Sequence, residues 1–483
     1  MRSRSTGSGF WLMMLVAAML WLGATPFTVA HATTWSQICK LASSTCGGGS
    51  SGGYYPQGGL VADSSGNLYG TTTAGGAHSA GTIFMISASG TYTVLHDFCP
   101  GATCCPSSDD SCQDGNDPVG SLILDVNGNL YGTTSQGGPN SGGYFNTPGG
   151  IAFKLRPPNL SGAGWTIHRL WSFCSSKSGV LCSDGQLPMS NLSYKPTSSS
   201  PYYNGTDPLY GTTDEGGVNG GQMSNGRGIV FKLTRSGGSW TETVMHDFGD
   251  PLVGNGTTIG DGIFPIGGVT LDSSGNIFGT ASSGGLQISF GGVIFKIDTS
   301  SNYSLLYEFC TTYSSLICTD GRGPNANLAL DSSGNIFGTT QAGSTDTTLT
   351  PYGLGLVFEL PSGSSSVTVL HSFCSGACAD GNTPAPGSGL ILTSTGDLYG
   401  VNEAGGLGNS TNQGGVVYKL HPSGGTYALT AIHTFCHLAA CNMSPADGNE
   451  PVTDLYQDSS GNMYGTTLYG GTGDGGTIYK VVP

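Results

Sequence analysis

Charged side chains are scarce in this sequence, and the basic ones are the scarcest. Of 483 residues, 15 are Lys or Arg and 30 are Asp or Glu, which gives a formal net charge of −15 at pH 7. Proteins that bind nucleic acid or anionic membranes present stripes of Lys and Arg, and this chain has few residues from which to build one. We therefore expect neither nucleic acid nor an anionic membrane as a partner.

The sequence also lacks the short motifs that mark several large enzyme classes. It contains no G-x-S-x-G nucleophile elbow, no phosphate-binding loop and no dinucleotide fingerprint. No loop supplies four ligands at the spacing of a zinc site. We therefore expect neither a cofactor nor a bound metal.

Long hydrophobic runs are missing except at the N-terminus. Phe10–Leu22 is apolar, follows Arg2 and Arg4, and precedes the small-x-small triplet Ala30-His31-Ala32. About 13 apolar residues are too few to span a bilayer, which needs about 20, but the pattern is typical of a secretory signal peptide. We predict a signal peptide at 1–32 and a secreted product, extracellular or periplasmic, with no membrane span after cleavage.

One motif recurs along the rest of the chain and divides it into seven similar units. A unit reads G-L-x-L-D-x-S-G-N-L-Y-G-T-T, a Gly-rich gap, G-T-I-F-K-L, a polar turn and T-V-L-H-D-F-C. Successive Tyr/Phe-Gly steps, from Gly70 to Gly465, lie 62, 79, 68, 59, 62 and 65 residues apart. Such self-similarity indicates a repeat architecture, and the units occupy 33–483 as one domain.

Each unit predicts four short antiparallel strands. In the first unit they are 60–63, 68–72, 82–86 and 92–98, and a Ser-Gly turn joins the first two. Four-stranded units in a closed ring form a β-propeller, whereas an open solenoid is the alternative. The last unit lacks its fourth strand, and residues 33–39 match the pattern of that strand. We predict an all-β, seven-bladed propeller whose N-terminal strand completes the last blade.

The cysteines are confined to one kind of loop. All 14 lie between the fourth strand of one unit and the first strand of the next, and the loop from Phe248 to Pro265 lacks both partners of a pair. In an exported protein, paired cysteines are expected to form disulfides. The predicted pairs are Cys39/Cys46, Cys174/Cys182, Cys310/Cys318, Cys374/Cys378 and Cys436/Cys441, and one loop holds Cys99, Cys104, Cys105 and Cys112, which allow three pairings.

Strand alternation sorts the loops onto two faces. The strand 2–3 and strand 4–1 loops share one face, here called the disulfide face, and the hairpin turns share the opposite face. The Gly-rich loops of variable length lie on the disulfide face, and variable loops on a rigid scaffold commonly carry function. On the opposite face, residues 195–208 replace one hairpin turn, and both a contact loop and an idle insertion are open interpretations.

An active site should break the symmetry of the repeat. After the Y-G-T-T strand the third unit carries Asp214 and Glu215 and the sixth carries Glu403, where most units have small or neutral residues. Paired carboxylates are what acid/base cleavage of a glycosidic bond requires, so these three are candidate catalytic residues; surface carboxylates without a role are the alternative. Candidate ligand-binding residues on the same face are Tyr144, Phe145, Arg227, Tyr313, Arg322, His437 and Tyr469.

Three recurring polar motifs have a structural interpretation beside a functional one. A D-G-x-x-P motif occurs in six strand 4–1 loops. Its Asp either caps the turn or contributes to a ring of carboxylates that could bind a cation. The D-x-S-G-N turn is too short to supply the six or more oxygens that Ca²⁺ needs, so we interpret it as a turn. A His two residues before the fourth-strand Phe recurs in four units, and we interpret it as a packing or edge residue.

The repeat resembles a known family. Asp63-Ser-Ser-Gly-Asn-Leu-Tyr-Gly-Thr-Thr, followed by Gly81-Thr-Ile-Phe, is similar to the GloVer repeat of exported bacterial tandem-repeat proteins. The resemblance implies an extracellular location and a propeller-like array. It carries over no catalytic residue.

These observations favour binding over catalysis. We expect a secreted, monomeric propeller that binds a polysaccharide or a surface protein, because aromatic side chains in the variable loops suit sugar stacking. One alternative is a carbohydrate-cleaving hydrolase or lyase that uses the carboxylates of the disulfide face. The other is a structural component of the cell envelope.

Overall fold

The computed structural model describes most of the chain after the predicted signal peptide. The described residues are 34–41, 52–100, 112–143, 147–160, 162–196, 200–219, 225–249, 260–285, 290–311, 313–314, 317–344, 354–374, 378–406, 414–436, 447–471 and 473–483. They form seven small antiparallel sheets, which are the blades of a propeller. The predicted fold class is confirmed.

Strands are given from the innermost to the outermost of each blade. The first four blades are blade 1, Val61–Ala62, Leu68–Thr72, Thr82–Ile86 and Tyr92–Asp97; blade 2, Ile123–Leu124, Leu130–Thr134, Ile151–Arg156 and Thr166–Ser172; blade 3, Leu209–Thr213, Ile229–Ser236 and Ser239–Asp247; and blade 4, Thr270–Leu271, Ile277–Ala281, Val293–Ile297 and Tyr303–Glu308. In blade 3 an isolated bridge between Ser193 and Tyr210 stands where the innermost strand is expected.

The last three blades include two with an additional short inner strand. They are blade 5, Ala329–Leu330 with Arg322–Pro324, Ile336–Ala342, Leu356–Leu360 and Thr368–Ser372; blade 6, Ile391–Leu392 with Asn382–Pro384, Leu398–Ala404, Val416–Ser423 and Thr426–Thr434; and blade 7, Tyr456–Gln457, Met463–Thr467, Thr477–Val482 and Thr34–Lys40. Three further hairpins lie in loops: Ser141–Gly142 with Thr147–Pro148, Lys177–Ser178 with Leu181–Cys182, and Tyr313–Ser314 with Ile317–Cys318.

The N-terminal strand closes the ring as predicted. Thr34–Lys40 pairs antiparallel with Thr477–Val482, from Thr34 opposite Val482 to Lys40 opposite Thr477, with a bulge between Gln37 and Cys39. Because two distant parts of the chain share one sheet, this blade joins the two ends of the described chain and closes the ring.

Aromatic contacts between neighbouring blades hold the ring together. In blades 1 to 6 the Phe after the fourth strand packs against the aromatic residue of the third strand in the next blade, with ring centroids 4.9–5.6 Å apart. In blade 7, Leu41 takes this place and belongs to the same cluster as Phe84 of blade 1. The second strand carries Gly at the same level because a Cβ on Gly70 would lie 2.6 Å from the Phe84 ring. The repeated Y-G-T-T and I-F sequences therefore encode the packing between blades.

The disulfides lie within single strand 4–1 loops. Four complete pairs fall in the described residues, with sequence separations of 4 to 13: Cys99–Cys112, Cys174–Cys182, Cys310–Cys318 and Cys374–Cys378. Cys39 and Cys436 are also disulfide-bonded, whereas Cys46, Cys104, Cys105 and Cys441 lie outside the described residues. Three of the four complete pairs were predicted and are confirmed, and Cys99–Cys112 is one of the pairings that the four-cysteine loop left open. The disulfides indicate folding in an oxidising compartment.

An insertion on the opposite face completes the fold. The insertion 195–208 docks on blade 2: Tyr203 is buried, its backbone exchanges hydrogen bonds with Leu124 and Val126, and its ring meets Tyr131 edge-on at 5.1 Å. The insertion thus makes an intramolecular contact. Separately, no helix among the described residues is long and apolar enough to cross a bilayer.

Candidate functional site

A cavity opens at the axis of the propeller on the disulfide face. Its volume is about 230 Å³. Val119, Met189, Ile266 and Val452, each directly after the Pro of a strand 4–1 loop, contribute apolar surface to its lining, and Glu403 contributes a carboxyl group. We call it the axial cavity. Its lining includes residues that belong to blades 2, 3, 4, 6 and 7.

A cluster of four polar side chains lies at the axis, and three of them, Ser121, Asn191 and Asp454, line the axial cavity. Together with Asn327 they are here called the axial cluster. All four occupy the same position of the repeat, directly before a Leu. Asp454 Oδ2 accepts hydrogen bonds from Asn191 Nδ2 at 2.6 Å, Ser121 Oγ at 3.2 Å and Asn327 Nδ2 at 3.4 Å. The cluster therefore ties blades 2, 3, 5 and 7 together across the axis.

The other three blades carry glycine at this position. A Cβ on Gly59 would lie 2.8 Å from Ser121 Oγ, one on Gly268 would lie 2.4 Å from Asn327 Oδ1, and one on Gly389 would lie 2.9 Å from Asn327 Cβ. These distances are too short for a side chain. The glycines thus leave the space that the four polar side chains of the axial cluster fill.

Asp454 is the only acidic member of the axial cluster. Burial raises the pKa of its carboxyl group, whereas hydrogen bonds from the Gly389 backbone and from Asn191, Ser121 and Asn327 oppose that shift. Because its oxygens already accept several donors, Asp454 is committed to holding the blades in place. We therefore assign the chemistry of the cavity to its wall rather than to the axial cluster.

Glu403 is the ionisable group on the wall of the axial cavity. Burial, and secondarily the charge of Glu450, raise the pKa of the Glu403 carboxyl group to about 7. Burial and the charge of Asp474 also raise the pKa of Glu450. Near neutral pH, Glu403 can therefore either donate or accept a hydrogen bond, which suits a hydroxyl-rich ligand.

Asp214 and Glu215 lie elsewhere on the disulfide face. Asp214 occupies in blade 3 the repeat position that Glu403 occupies in blade 6, but neither Asp214 nor Glu215 lines the axial cavity in the described part of the chain. Burial, followed by the charge of Glu215, raises the pKa of Asp214 to about 6. Asp214 Oδ1 and Glu215 Oε2 are buried without a hydrogen-bond partner among the described residues. The structure thus brings together Asp214 with Glu215, and Glu403 with Glu450.

The remaining candidate residues are placed at different distances from the axis. Arg322 lines an adjoining cavity of about 280 Å³, which shares Ile266 with the axial cavity, and its guanidinium lies 5.6 Å from the ring centroid of Phe290. Tyr469 packs edge-on against Tyr55 at 5.4 Å. Arg227 has a buried Nε that finds no hydrogen-bond partner within the described ranges. Residues outside those described are Tyr144, Phe145 and His437, and the side chain of Tyr313 is likewise not described.

The D-G-x-x-P aspartates cap the ends of the fourth strands. Each of the six accepts a hydrogen bond from a backbone N–H just after the fourth strand, at 3.0 to 3.3 Å. The residue two places before the fourth-strand Phe contacts the same carboxylate; in blade 1, His96 Nε2 lies 2.9 Å from Asp114 Oδ2. The capping interpretation therefore fits the geometry, and the recurring His belongs to it.

The D-x-S-G-N aspartates satisfy their own turns. In the turn of Asp272, Oδ1 accepts the backbone N–H groups of Ser274 and Asn276, both at 2.9 Å, and Oδ2 accepts Asn276 Nδ2 at 2.7 Å. This geometry supports the interpretation as a turn. Among the described residues no group of three or more His, Cys, Asp or Glu is arranged to hold a metal ion.

Sequence reasoning missed the axial cluster and the pairing of His with Asp. A signal for the cluster was present, because one position of an otherwise uniform repeat changes between Gly, Ser, Asn and Asp. A signal for the pairing was present too, because blade 7, which has Cys39 opposite Ile478 where blade 1 has His96 opposite Ile83, also has Gly52 in place of the Asp. Both signals become visible when the seven units are aligned with one another.

Comparisons with solved structures find similarity at a low level. An ulvan lyase of polysaccharide lyase family PL25 shows 9% identity and a TM-score of 0.46 over 88% of this chain and 94% of its own. An ancestral GH74 enzyme shows 10% identity and a TM-score of 0.49 over 89% of this chain and 48% of its own. An oxidoreductase named as a glucose dehydrogenase from Thermus thermophilus shows 15% identity and a TM-score of 0.40 over 75% of this chain and 95% of its own. No ligand or reaction follows from similarities at this level.

The repeat itself gives a specific match. No curated protein matches the chain, but the Gloeobacter/Verrucomicrobia repeat matches residues 27–206 and 311–483. These two regions cover more than half of the sequence and include the strands of blades 1, 2, 5, 6 and 7. The chain therefore belongs to the Gloeobacter/Verrucomicrobia repeat family.

Proposed function

We propose that this protein is an exported glycan-binding propeller whose axial cavity holds a single sugar residue, such as the end of a polysaccharide chain. The observation that carries the proposal is the cavity itself, which sets the carboxyl group of Glu403 beside the apolar side chains of Val119, Met189, Ile266 and Val452. Sugars present hydroxyl groups and apolar C–H surface together, so they suit a wall of this kind.

The size of the cavity limits the ligand. About 230 Å³ is below the roughly 300–1,000 Å³ of pockets that enclose drug-sized ligands. A single ring fits this range better than an extended oligosaccharide. The seven blades, locked by inter-blade aromatic contacts and disulfides, hold the wall in place before the ligand arrives, which reduces the entropy lost on binding.

The test is equilibrium binding of a panel of neutral mono- and oligosaccharides to the wild-type protein and to two variants. Glu403→Gln keeps the shape of the side chain and should weaken binding at least about 10-fold through the lost charge-assisted hydrogen bond. Glu359→Gln, a half-buried carboxyl group outside the cavity, is the matched control and should bind as the wild type does. Equal affinities for all three proteins would contradict the proposal.

A second candidate function is glycosidic cleavage at the same cavity. The specific observation is that the charge of Glu450 acts on Glu403, whose carboxyl group has a pKa of about 7. A protonated acid beside a second carboxylate is the arrangement that glycoside hydrolysis uses. In that case Glu403→Gln should keep ligand binding but abolish the release of reducing ends, which a reducing-sugar assay on the same panel would detect.

A further inference from the structure

A second cavity lies on the outside of the ring, between blades 2 and 3. Its volume is about 650 Å³, and its lining includes Trp240. The cationic side chains that line it come from both blades: Lys154, Arg156, His168, Arg169 and Arg235. We call this cavity the basic groove. It gathers four of the 15 Lys and Arg residues of a chain whose formal net charge is −15.

The strands of the two blades set the positions of these groups. In blade 2, Lys154 pairs with His168 across the third and fourth strands. In blade 3, Arg235 pairs with Trp240 across the third and fourth strands. Arg156, His168 and Arg235 are exposed. Because all these positions lie on regular strands, the charges converge on a rigid wall rather than on a mobile loop.

The cationic groups of the basic groove outnumber the acidic group beside them. The described residues that line the groove include neither Asp nor Glu. Burial lowers the pKa of the Lys154 ammonium group, the charge of Asp125 opposes that shift, and the charges of Arg235 and Arg156 add to it. Asp125 also accepts hydrogen bonds from the backbone N–H groups of Asn127 and Asn129 and from the Tyr131 hydroxyl. An anionic ligand would offset the repulsion among Lys154, Arg156 and Arg235.

Arg156 has an internal partner that leaves further donors for a ligand, because it donates to Asn159 Oδ1 at 3.1 Å. Arg169 pairs with Phe153, so its side chain leaves the strand on the side that faces blade 1, where it donates to the Gln113 carbonyl oxygen at 3.1 Å. A guanidinium carries five N–H donors, so one bond leaves several unused. Arginine is also the side chain best suited to bidentate recognition of planar or tetrahedral anions.

We propose that the basic groove binds an acidic polysaccharide through carboxylate or sulfate groups on its sugars. The guanidinium and ammonium groups supply charge-assisted hydrogen bonds to those anions, and the ring of Trp240 offers a surface on which a sugar can stack. Nucleic acid is the competing class of polyanion, and the test below includes it. The proposal does not depend on the axial cavity.

The test measures binding of four polymers to the wild type and to the double variant Arg156→Gln/Arg235→Gln. The polymers are polygalacturonate, which carries carboxylates, dextran sulfate, which carries sulfates, neutral dextran and single-stranded DNA. The matched control is Lys177→Gln/Lys195→Gln, which removes two charges from exposed positions outside the groove. Glu403→Gln is included to separate this site from the axial cavity.

The expected result at about 50 mM salt is binding of polygalacturonate, dextran sulfate or both more tightly than of dextran. The groove variant should lose at least about 10-fold in affinity for the acidic polymers and the lysine variant less than about 2-fold, because only the first removes direct anion contacts. Dextran should bind to the groove variant as it does to the wild type, and only Glu403→Gln should weaken that binding. Added salt should weaken binding steeply. Melting temperatures of all variants show that each is folded.

Three results would overturn the proposal. The first is no binding of either acidic polysaccharide by the wild type. The second is an equal loss in the lysine variant, which would show attraction to overall charge only. The third is binding of single-stranded DNA as tight as that of the acidic polysaccharides, which would identify a general polyanion surface.

Discussion

The hairpin turns and the axial positions are the most and the least uniform parts of the repeat. In the turns, Asp63, Asp272 and Asp458 each accept the N–H groups of the two and four residues that follow and the side-chain amide of an Asn. At the axis, blades contribute Gly, Ser, Asn or Asp, and Ser121, Asn191 and the Gly389 backbone each donate a hydrogen bond to Asp454 of another blade. Uniform positions therefore serve a single blade, whereas variable ones depend on the whole ring.

The largest effect should come from removing the strand that closes the ring. Deleting residues 33–41 exposes the edge of Thr477–Val482, and the melting temperature should fall by at least about 5 °C, since several kcal/mol are lost from a large domain. Adding a synthetic peptide of the same sequence should restore part of the loss, because it can re-form the strand pairing. An unchanged melting temperature would show that closure does not stabilise the ring.

Breaking the axial cluster should cost more than breaking a turn. Asp454→Ala leaves the donors of Asn191, Ser121 and Gly389 without their acceptor, so the free energy of unfolding should fall by about 3 kcal/mol. Asp272→Ala, which removes a comparable set of hydrogen bonds from a solvated turn, should cost about 1 kcal/mol. Chemical denaturation of both variants measures the difference, and equal losses would refute the distinction between the two regions.

The pH dependence of stability should report on Glu403. An unfolded Glu ionises near 4.5, whereas folded Glu403 ionises near a pKa of about 7. Between these values the unfolded state has released a proton that the folded state retains, so this group lowers stability as pH rises, by on the order of 3 kcal/mol above pH 7. Glu403→Gln should therefore be more stable than the wild type at pH 8 and equally stable at pH 4. Parallel curves would contradict the assignment.

The disulfides should have the smallest effect of the four features. Cys310 and Cys318 enclose a loop with a sequence separation of 8, and a loop of this size limits the gain to about 2–3 kcal/mol. Replacing both by Ser should lower the free energy of unfolding by about that amount and leave the overall fold intact, as circular dichroism can check. Loss of the folded state would mean that the loops stabilise the ring far more than their size implies.

The sequence predicts what is local or repeated. The strands, the disulfide loops and the closing strand could be predicted because each follows from a pattern within one unit or from a missing part of the last one. The axial cluster could not be assembled in this way, because Ser121 and Asp454 are 333 residues apart and meet only in the closed ring. The same holds for Lys154 and Arg235, which come together because blades 2 and 3 are neighbours.

The candidate site was predicted in part for the same reason. Glu403 breaks the symmetry of the repeat, and it does line the axial cavity. Asp214 breaks the symmetry at the same position of another unit, yet it does not line the cavity among the described residues. The repeat position fixes how a side chain leaves its strand, but the lengths of the neighbouring loops decide what it faces.

The most direct test of the account is a crystal structure of the protein soaked with a neutral oligosaccharide that it binds in solution. The account predicts a sugar ring in the axial cavity, within hydrogen-bond distance of the Glu403 carboxyl group and in contact with the apolar side chains that follow the loop prolines. Sugar density confined to another part of the surface, with the axial cavity holding only solvent, would contradict it.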